Sequence, residues 1–207
     1  MSPSTEDGVR FEAAIAAVDA ANSGDPNTVS FEGRERPKEV VYAIQMSRWL
    51  DRIAPDASPA LRLAARCQHI RRFEIPRETY PMGRIGYLKW RTDLKHLHAR
   101  IAGEILARVG YDAGTIARVQ ALVRKDRLKQ DPEAQTLEDV VCLVFLENYF
   151  ADFAVRHDDD KIVDIVRKTW VKMSETGHQA ALSLPLPAAA RRLVERALAG
   201  ASPPGKA

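Results

Sequence analysis

The fold is decided by residues 137–146, which read LEDVVCLVFL. Val140 to Leu146 is the longest unbroken apolar run of the chain, and Asp131-Pro132 provides a capping residue and a proline to start a helix ahead of it. A helix that is apolar on nearly all sides must be surrounded by other elements. The sequence therefore predicts a bundle with this segment as its central helix.

The rest of the chain predicts further helices. Apolar residues recur at three- and four-residue spacing, and no segment alternates convincingly with period two. Turn formers and prolines leave a long loop up to Pro37 and a connector at 75–83. We expect an all-α protein of about eight helices, in one domain over residues 1–200 with a disordered tail at 201–207. The predicted helices are 9–21, 38–53, 59–72, 85–109, 112–127, 131–153, 162–173 and 188–199.

Composition and charge exclude several classes of protein. With 45% hydrophobic and 29% charged residues the chain has the composition of a globular domain, and its longest apolar run is far shorter than the roughly 20 residues that span a bilayer. A net charge of +3 does not indicate a nucleic-acid partner. Cys67 and Cys142 lie in apolar stretches, and the N-terminus has no export signal, so we expect a cytoplasmic protein with no membrane partner. The oligomeric state does not follow from the sequence.

The most informative segment is the basic stretch at 71–100. It contains eight basic and three acidic residues. Arginine forks bind carboxylate or phosphate through paired hydrogen bonds, so this composition predicts a small anionic ligand. The alternative is a solvated basic face. The basic residues are Arg71, Arg72, Arg77, Arg84, Lys89, Arg91, Lys95 and Arg100.

One stripe of the predicted fourth helix points into the bundle. Tyr87, Arg91, Leu94 and His98 are separated by four, three and four residues, which places them on one face. Because Leu94 must face the core, Arg91 and His98 are expected at its edge. The alternative for His98 is a core histidine that is satisfied by its own hydrogen bonds.

Three other residues are candidates for acid-base chemistry. His69 lies among the apolar residues Leu63, Ala64, Cys67 and Ile70 in what we predict to be the third helix, so we expect its imidazole to be buried. Glu138 and Asp139 enter the most apolar helix, where an unpaired charge would be costly. The structural alternative for His69 is simple burial. For Glu138 and Asp139 it is a position near the start of the helix.

Three stretches resemble the HD phosphohydrolase superfamily. They are LAARCQHI at 63–70, HARIAGEIL at 98–106 and LEDVVCL at 137–143. The resemblance implies an HD-like orthogonal helical bundle over residues 38–149. It also implies that His69, His98 and Glu138 or Asp139 converge on one cavity.

The chain departs from the HD pattern at the metal ligands. Gln68-His69 stands where the superfamily has His-Asp, Tyr42 lies near its first histidine, and Val141 or Asp139 lies at its last aspartate. Metals require carboxylate or neutral imidazole donors. We therefore expect one divalent metal ion at most, held by His69, His98 and Asp139, or none.

A second resemblance covers most of the chain. The family filed as domain of unknown function 4202 has similar stretches at 37–39, 68–77, 86–91, 142–146 and 172–174. No activity is implied by it.

Together these observations lead to a functional expectation. We expect a divergent hydrolase acting on a small phosphate- or carboxylate-bearing metabolite. The alternatives are a non-catalytic binding or regulatory protein that retains an anion-binding cavity, and an RNA-associated factor. The candidate catalytic residues are His69, His98, Glu138 and Asp139, and the candidate ligand-binding residues are Tyr42, Gln68, Arg72, Arg84, Tyr87 and Arg91.

Overall fold

The computed structural model describes residues 5–128 and 130–199, and these are mostly helical. The expectation of an all-α protein is confirmed apart from one short hairpin, whereas the predicted tail at 201–207 lies outside the described residues. The helices are α1 (Thr5–Asn22), α2 (Lys38–Ile53), α3 (Pro59–Arg66), α4 (Arg84–Arg108), α5 (Ala113–Arg124), α6 (Pro132–Asn148), α7 (Phe150–Val155), α8 (Asp159–Trp170), α9 (Glu175–Leu182) and α10 (Ala188–Ala199).

The loop predicted before Pro37 contains a β-hairpin. Strands β1 (Thr28–Phe31) and β2 (Arg34–Pro37) pair antiparallel, with Thr28 opposite Pro37. The two residues between them, Glu32 and Gly33, have φ values of 51° and 74°, as a type I′ turn requires. The prediction of a loop was wrong here, because Val29 and Phe31 alternate with polar residues over only four positions, which is too short a run to indicate a strand.

Helix α3 is shorter than predicted. Ser58 caps it by accepting a hydrogen bond from the Leu61 amide, but the helix ends at Arg66 rather than at residue 72. The backbone N–H of Gln68 donates to the Ala65 carbonyl, three residues back in the chain. Arg71 adopts a left-handed conformation with φ 52°. His69 therefore lies in a turn and not within a helix, which corrects the prediction for that residue.

The second half of the chain has two helices that were not predicted. The sixth helix was expected to reach residue 153 but ends at Asn148, and α7 follows it as a separate segment. Helix α9 begins after Ser174, whose hydroxyl accepts a hydrogen bond from the Gly177 amide. Ser174 is therefore the N-cap of a further helix, one residue after the point where the predicted seventh helix was expected to end.

The contacts between Cα atoms divide the chain into two compact units, Met1–Leu137 and Glu138–Ala207. In the first unit α4 packs along α5, α3 packs against α2 and α5, and α1 contacts α2, α3 and α4. In the second unit α10 packs against α7 and α8. The expectation of a single domain over residues 1–200 stays a prediction.

The expected burial of the apolar run is confirmed. Val140, Leu143 and Val144 are 0% exposed, and both cysteines are buried and outside any disulfide. No helix in the described part of the chain combines the length and the apolar character needed to cross a membrane.

Candidate functional site

Five polar or charged side chains meet in the first unit, where the start of α2, the turn after α3 and the middle of α4 come together. We call them the histidine cluster. Its members are Glu39, Tyr42, His69, Arg72 and His98.

Glu39 is fixed by its backbone. It lies in the first turn of α2, where its amide donates to Asp25 Oδ2 at 3.1 Å and its carbonyl accepts from Asn22 Nδ2 at 3.4 Å. Only 6% of the residue is exposed. Burial raises the pKa of the Glu39 carboxyl from 4.5 to about 7, against the opposing effect of the Arg72 charge. A carboxyl with this pKa exchanges its proton near neutral pH.

His69 is held on three sides. Its ring stacks on Tyr42 with centroids 3.8 Å apart and planes 11° apart, and Arg72 Nη1 lies 2.9 Å from Nε2. Because arginine can only donate, His69 Nε2 is the acceptor of this bond, and the proton of the neutral ring is then on Nδ1. The Nδ1 atom lies 3.4 Å from Glu39 Oε2. Burial, and then the Arg72 charge, hold the pKa of His69 well below its usual range. The ring is therefore neutral at physiological pH.

Arg72 lies on an aromatic support. Its guanidinium carbon is 4.9 Å from the centroid of Trp90, whose indole N–H donates to the Ile75 carbonyl at 2.8 Å. Burial lowers the pKa of Arg72, while the neighbouring Glu39 opposes that change. Within the described residues, the hydrogen bonds of this guanidinium go to His69 alone, so most of its N–H donors are available to a ligand.

His98 is the more deeply buried of the two histidines, at 4% exposed. Its Nδ1 donates to the Ile70 carbonyl at 2.7 Å, which leaves the lone pair on Nε2, and its ring centroid is 6.0 Å from that of His69. Burial lowers the pKa of His98 to about 4. Among the described residues Nε2 has no hydrogen-bond partner, so this atom is a candidate proton acceptor.

Arg91 adds a second positive charge. It is half-buried on α4, and the described part of the chain gives it neither an ion pair nor a hydrogen bond. Burial is the main cause of the low pKa of His98, and the charges of Arg72 and then Arg91 lower that pKa further. Arg84 is exposed at the first residue of α4, and Tyr87 is 45% exposed with its ring 5.8 Å from that of Trp90.

Several other members of the basic stretch are paired. Arg71 pairs with Glu74, Lys89 with Asp93, and Arg100 with Glu104. Arg77 donates instead to the carbonyls of residues 80 and 81. The stretch is thus partly a solvated face of local ion pairs, while Arg72 and Arg91 retain the capacity to bind an anion.

The predicted acids lie in the second unit. Glu138 and Asp139 are buried, at 6% and 2% exposed. Asp139 accepts from the Ser174 amide at 2.8 Å and from the Ser174 hydroxyl at 2.5 Å, directly before α9. This gives Asp139 a structural task, and its pairing with the histidines stays a prediction.

No metal-ligand group is found. In residues 5–128 and 130–199, no three side chains of His, Cys, Asp or Glu lie together as a metal site requires. The expected set of His69, His98 and Asp139 stays a prediction. At His69 the Arg72 guanidinium donates to Nε2, and its charge would repel a cation placed there.

Sequence reasoning missed Glu39. A single acid in the first turn of a helix is the ordinary partner of the helix dipole, so its position gave no sign of a site. The only available signal was its place in the similar stretch at 37–39.

The fold and the site define a predominantly helical protein with a buried, cationic histidine site. The chain belongs to the family described as domain of unknown function (DUF4202), whose sequence model matches residues 12–194. Comparison with curated proteins finds no match, and neither does comparison with solved structures.

Proposed function

We propose that the protein is a divergent HD-like hydrolase that acts on a small metabolite bearing a phosphate or carboxylate group. The observation that carries this proposal is the pair of arginines, Arg72 and Arg91, beside two uncharged histidines and a carboxyl whose pKa is about 7. The histidines are His69 and His98, and the carboxyl is that of Glu39. Buried titratable groups with strongly shifted pKa values cluster at functional sites. The resemblance of the stretches at 63–70 and 98–106 to the HD superfamily supports the same reaction class.

Each member of the site has a role in this proposal. Arg72 and Arg91 bind the anionic group, with Arg84 and Tyr87 at the outer edge. For a phosphate ester, water attacks phosphorus while His98 Nε2 takes its proton, a P–O bond forms, and the bond to the leaving oxygen breaks. Glu39 in its protonated form donates to that oxygen, and solvent returns the proton from His98 to Glu39.

The bound anion itself prepares the base. The positive charges of Arg72 and Arg91 contribute to the low pKa of His98 after the larger effect of burial. A bound phosphate offsets those charges and moves the pKa of His98 upward, toward the value of a useful general base. His69 orients Glu39 and Arg72, and Tyr42 holds the His69 ring in place.

The proposal is tested by ligand-induced stabilisation and by turnover. The full chain is screened by thermal shift with inorganic phosphate, phosphomonoesters and di- and tricarboxylates, and each ligand that stabilises it is assayed for hydrolysis. Arg91→Ala should abolish the stabilisation. Arg108→Ala, which removes an exposed arginine from the same helix, should retain it. If no anion stabilises the wild-type protein, the proposal is wrong.

A second candidate is a binding or regulatory protein that uses the same histidine cluster without catalysis. The observation favouring it is the hydrogen bond from Arg72 to His69 Nε2, because a guanidinium on the lone pair removes one of the two imidazoles as a base. Tight anion binding with no product in the hydrolysis assay would establish this alternative.

We also propose a cytoplasmic location, which the two cysteines support. Both cysteines are buried and outside any disulfide, and burial raises the pKa of Cys67 to about 12. A reduced, unreactive thiol in the core is typical of a reducing compartment. Fluorescence microscopy of the tagged protein, compared with the fractionation of a cytosolic marker, tests this location.

A further inference from the structure

Two buried polar atoms lack a hydrogen-bond partner among the described residues. They are Glu39 Oε2 and Gln68 Nε2, on residues that are 6% and 5% exposed. Leaving such an atom unpaired is unfavourable, and buried polar groups in native proteins are nearly always paired. Each of the two unpaired atoms therefore indicates a missing partner.

Both atoms belong to residues that flank His69. Glu39 Oε2 is 3.4 Å from His69 Nδ1 without the geometry of a hydrogen bond, and Gln68 directly precedes His69 in the turn after α3. Glu39 is a member of the histidine cluster and Gln68 is next to another member in the chain, so we assign the partner of both atoms to the ligand of that site.

The backbone around both residues is firmly held. Asn22 and Asp25 bind the backbone of Glu39, and Asn22 Oδ1 also accepts from the Arg71 amide at 2.9 Å, three residues after Gln68. The start of α2 and the turn that contains Gln68 are thus tied to the same asparagine. Because these segments are fixed, the unpaired atoms cannot easily move to find partners elsewhere.

The two atoms differ in what they need. Gln68 Nε2 is a donor and needs an acceptor, while Glu39 Oε2 is an acceptor and needs a donor when the carboxyl is ionised or carries its proton on Oε1. A hydroxyl provides both functions and carries no charge. An ammonium group would also donate to Glu39, but Arg72 and Arg91 would repel it.

We infer that the metabolite bound at the histidine cluster is a hydroxylated anion: its phosphate or carboxylate binds Arg72 and Arg91, and its hydroxyl groups accept from Gln68 and donate to Glu39. Sugar phosphates, glycerol phosphates and hydroxy acids have this chemistry. The inference rests on the proposed function, which requires only an anion, and it adds the polar part of the ligand. Sites that hydrogen-bond a ligand hydroxyl strongly reject the analogue that lacks it.

Matched ligand pairs test the inference by isothermal titration calorimetry. The pairs are glycerol 3-phosphate with n-propyl phosphate, and malate with succinate, so that each pair differs in hydroxyl groups and not in the anion. The wild-type protein should bind the hydroxylated member of at least one pair about tenfold more tightly or better. In Gln68→Leu this preference should shrink, whereas the affinity for the deoxy member should stay the same.

Gln68→Leu is a suitable variant because it removes an unpaired buried amide and keeps a similar volume, so the fold should be at least as stable as that of the wild type. Equal affinities within both pairs for the wild-type protein would overturn the inference and would mean that solvent satisfies the two atoms. A preference that survives unchanged in Gln68→Leu would also overturn it.

The proposed function has a different signature in the same experiment. It fails together with the inference if no member of either pair binds. It stands while the inference fails if both members bind equally and Arg91→Ala abolishes binding of both. The two failures are therefore distinguishable.

Discussion

His69 Nε2 accepts a hydrogen bond from Arg72 Nη1 at 2.9 Å, so a guanidinium rests on the lone pair that would make this imidazole a base. This contact favours the neutral form of the His69 ring, whose Nδ1 lies 3.4 Å from Oε2 of the buried Glu39 carboxyl. Its strength determines whether His69 is a positioning residue or a proton acceptor.

Replacing Arg72 should release His69. The pKa of His69 is held low by burial first and by the Arg72 charge second, so Arg72→Met should move that pKa upward. A pH titration of the histidine Cε1–H signals by NMR measures the change, with Arg108→Met as a control that removes an exposed arginine. An unchanged His69 pKa would mean that Arg72 does not interact with the ring in solution.

Glu39 should make stability depend on pH. Its pKa is raised by burial from 4.5 to about 7, so the folded protein binds this proton more tightly than the unfolded chain does. The resulting stabilisation is complete below pH 4.5 and is lost as the pH rises to about 7, which corresponds to about 3 kcal/mol at 1.36 kcal/mol per pKa unit.

The variant Glu39→Gln isolates this effect because its side chain stays neutral. Relative to the wild type, its free energy of unfolding should increase between pH 5 and pH 8 by up to about 3 kcal/mol, as measured by urea denaturation. The histidines of the unfolded chain also titrate in this range, but that contribution is common to both proteins and cancels in the difference. A difference that is constant over pH would show that Glu39 has an ordinary pKa.

Two substitutions should separate the structural and chemical roles of His98. Its Nδ1 donates to the Ile70 carbonyl, and the amide nitrogen of asparagine can replace that donor. His98→Phe leaves the carbonyl unpaired and should cost about 1–3 kcal/mol of unfolding free energy. His98→Asn should recover part of this stability but remain inactive in hydrolysis, because it lacks Nε2. Full activity in His98→Asn would remove His98 as the general base.

Asp139 should act on stability through Ser174. Its carboxylate accepts from both the amide and the hydroxyl of Ser174, so Asp139→Ala and Ser174→Ala should each destabilise the protein by about 1–3 kcal/mol. Their coupling in a double-mutant cycle should be about 0.5–3 kcal/mol. If Asp139→Ala instead remains as stable as the wild type but loses ligand binding or turnover, Asp139 belongs to the site, as the sequence first suggested.

Much of the fold could be predicted because its signals are local. Ser58 and Asp112 each cap a helix by accepting from an amide three residues on, and Asp131 accepts from the amides of the first turn of α6. These capping bonds join residues that are close in the chain and require a particular type of side chain, so the residue at the capping position predicts them. The same reasoning failed at the hairpin, where Glu32 and Gly33 set the turn but the strands are too short to show a period.

The site was only partly determined by the sequence. The spacing of Leu94 and His98 on one helical stripe placed His98 at the edge of the core, and the structure buries it there, because helix periodicity is a property of the chain alone. The tertiary structure decided the rest. The turn that carries His69 is held by Asn22, a residue 49 positions before Arg71, and Glu39 became a buried acid only because α2 packs against that turn. Burial and long-range hydrogen bonds shift a pKa, and neither is encoded in the residues next to it.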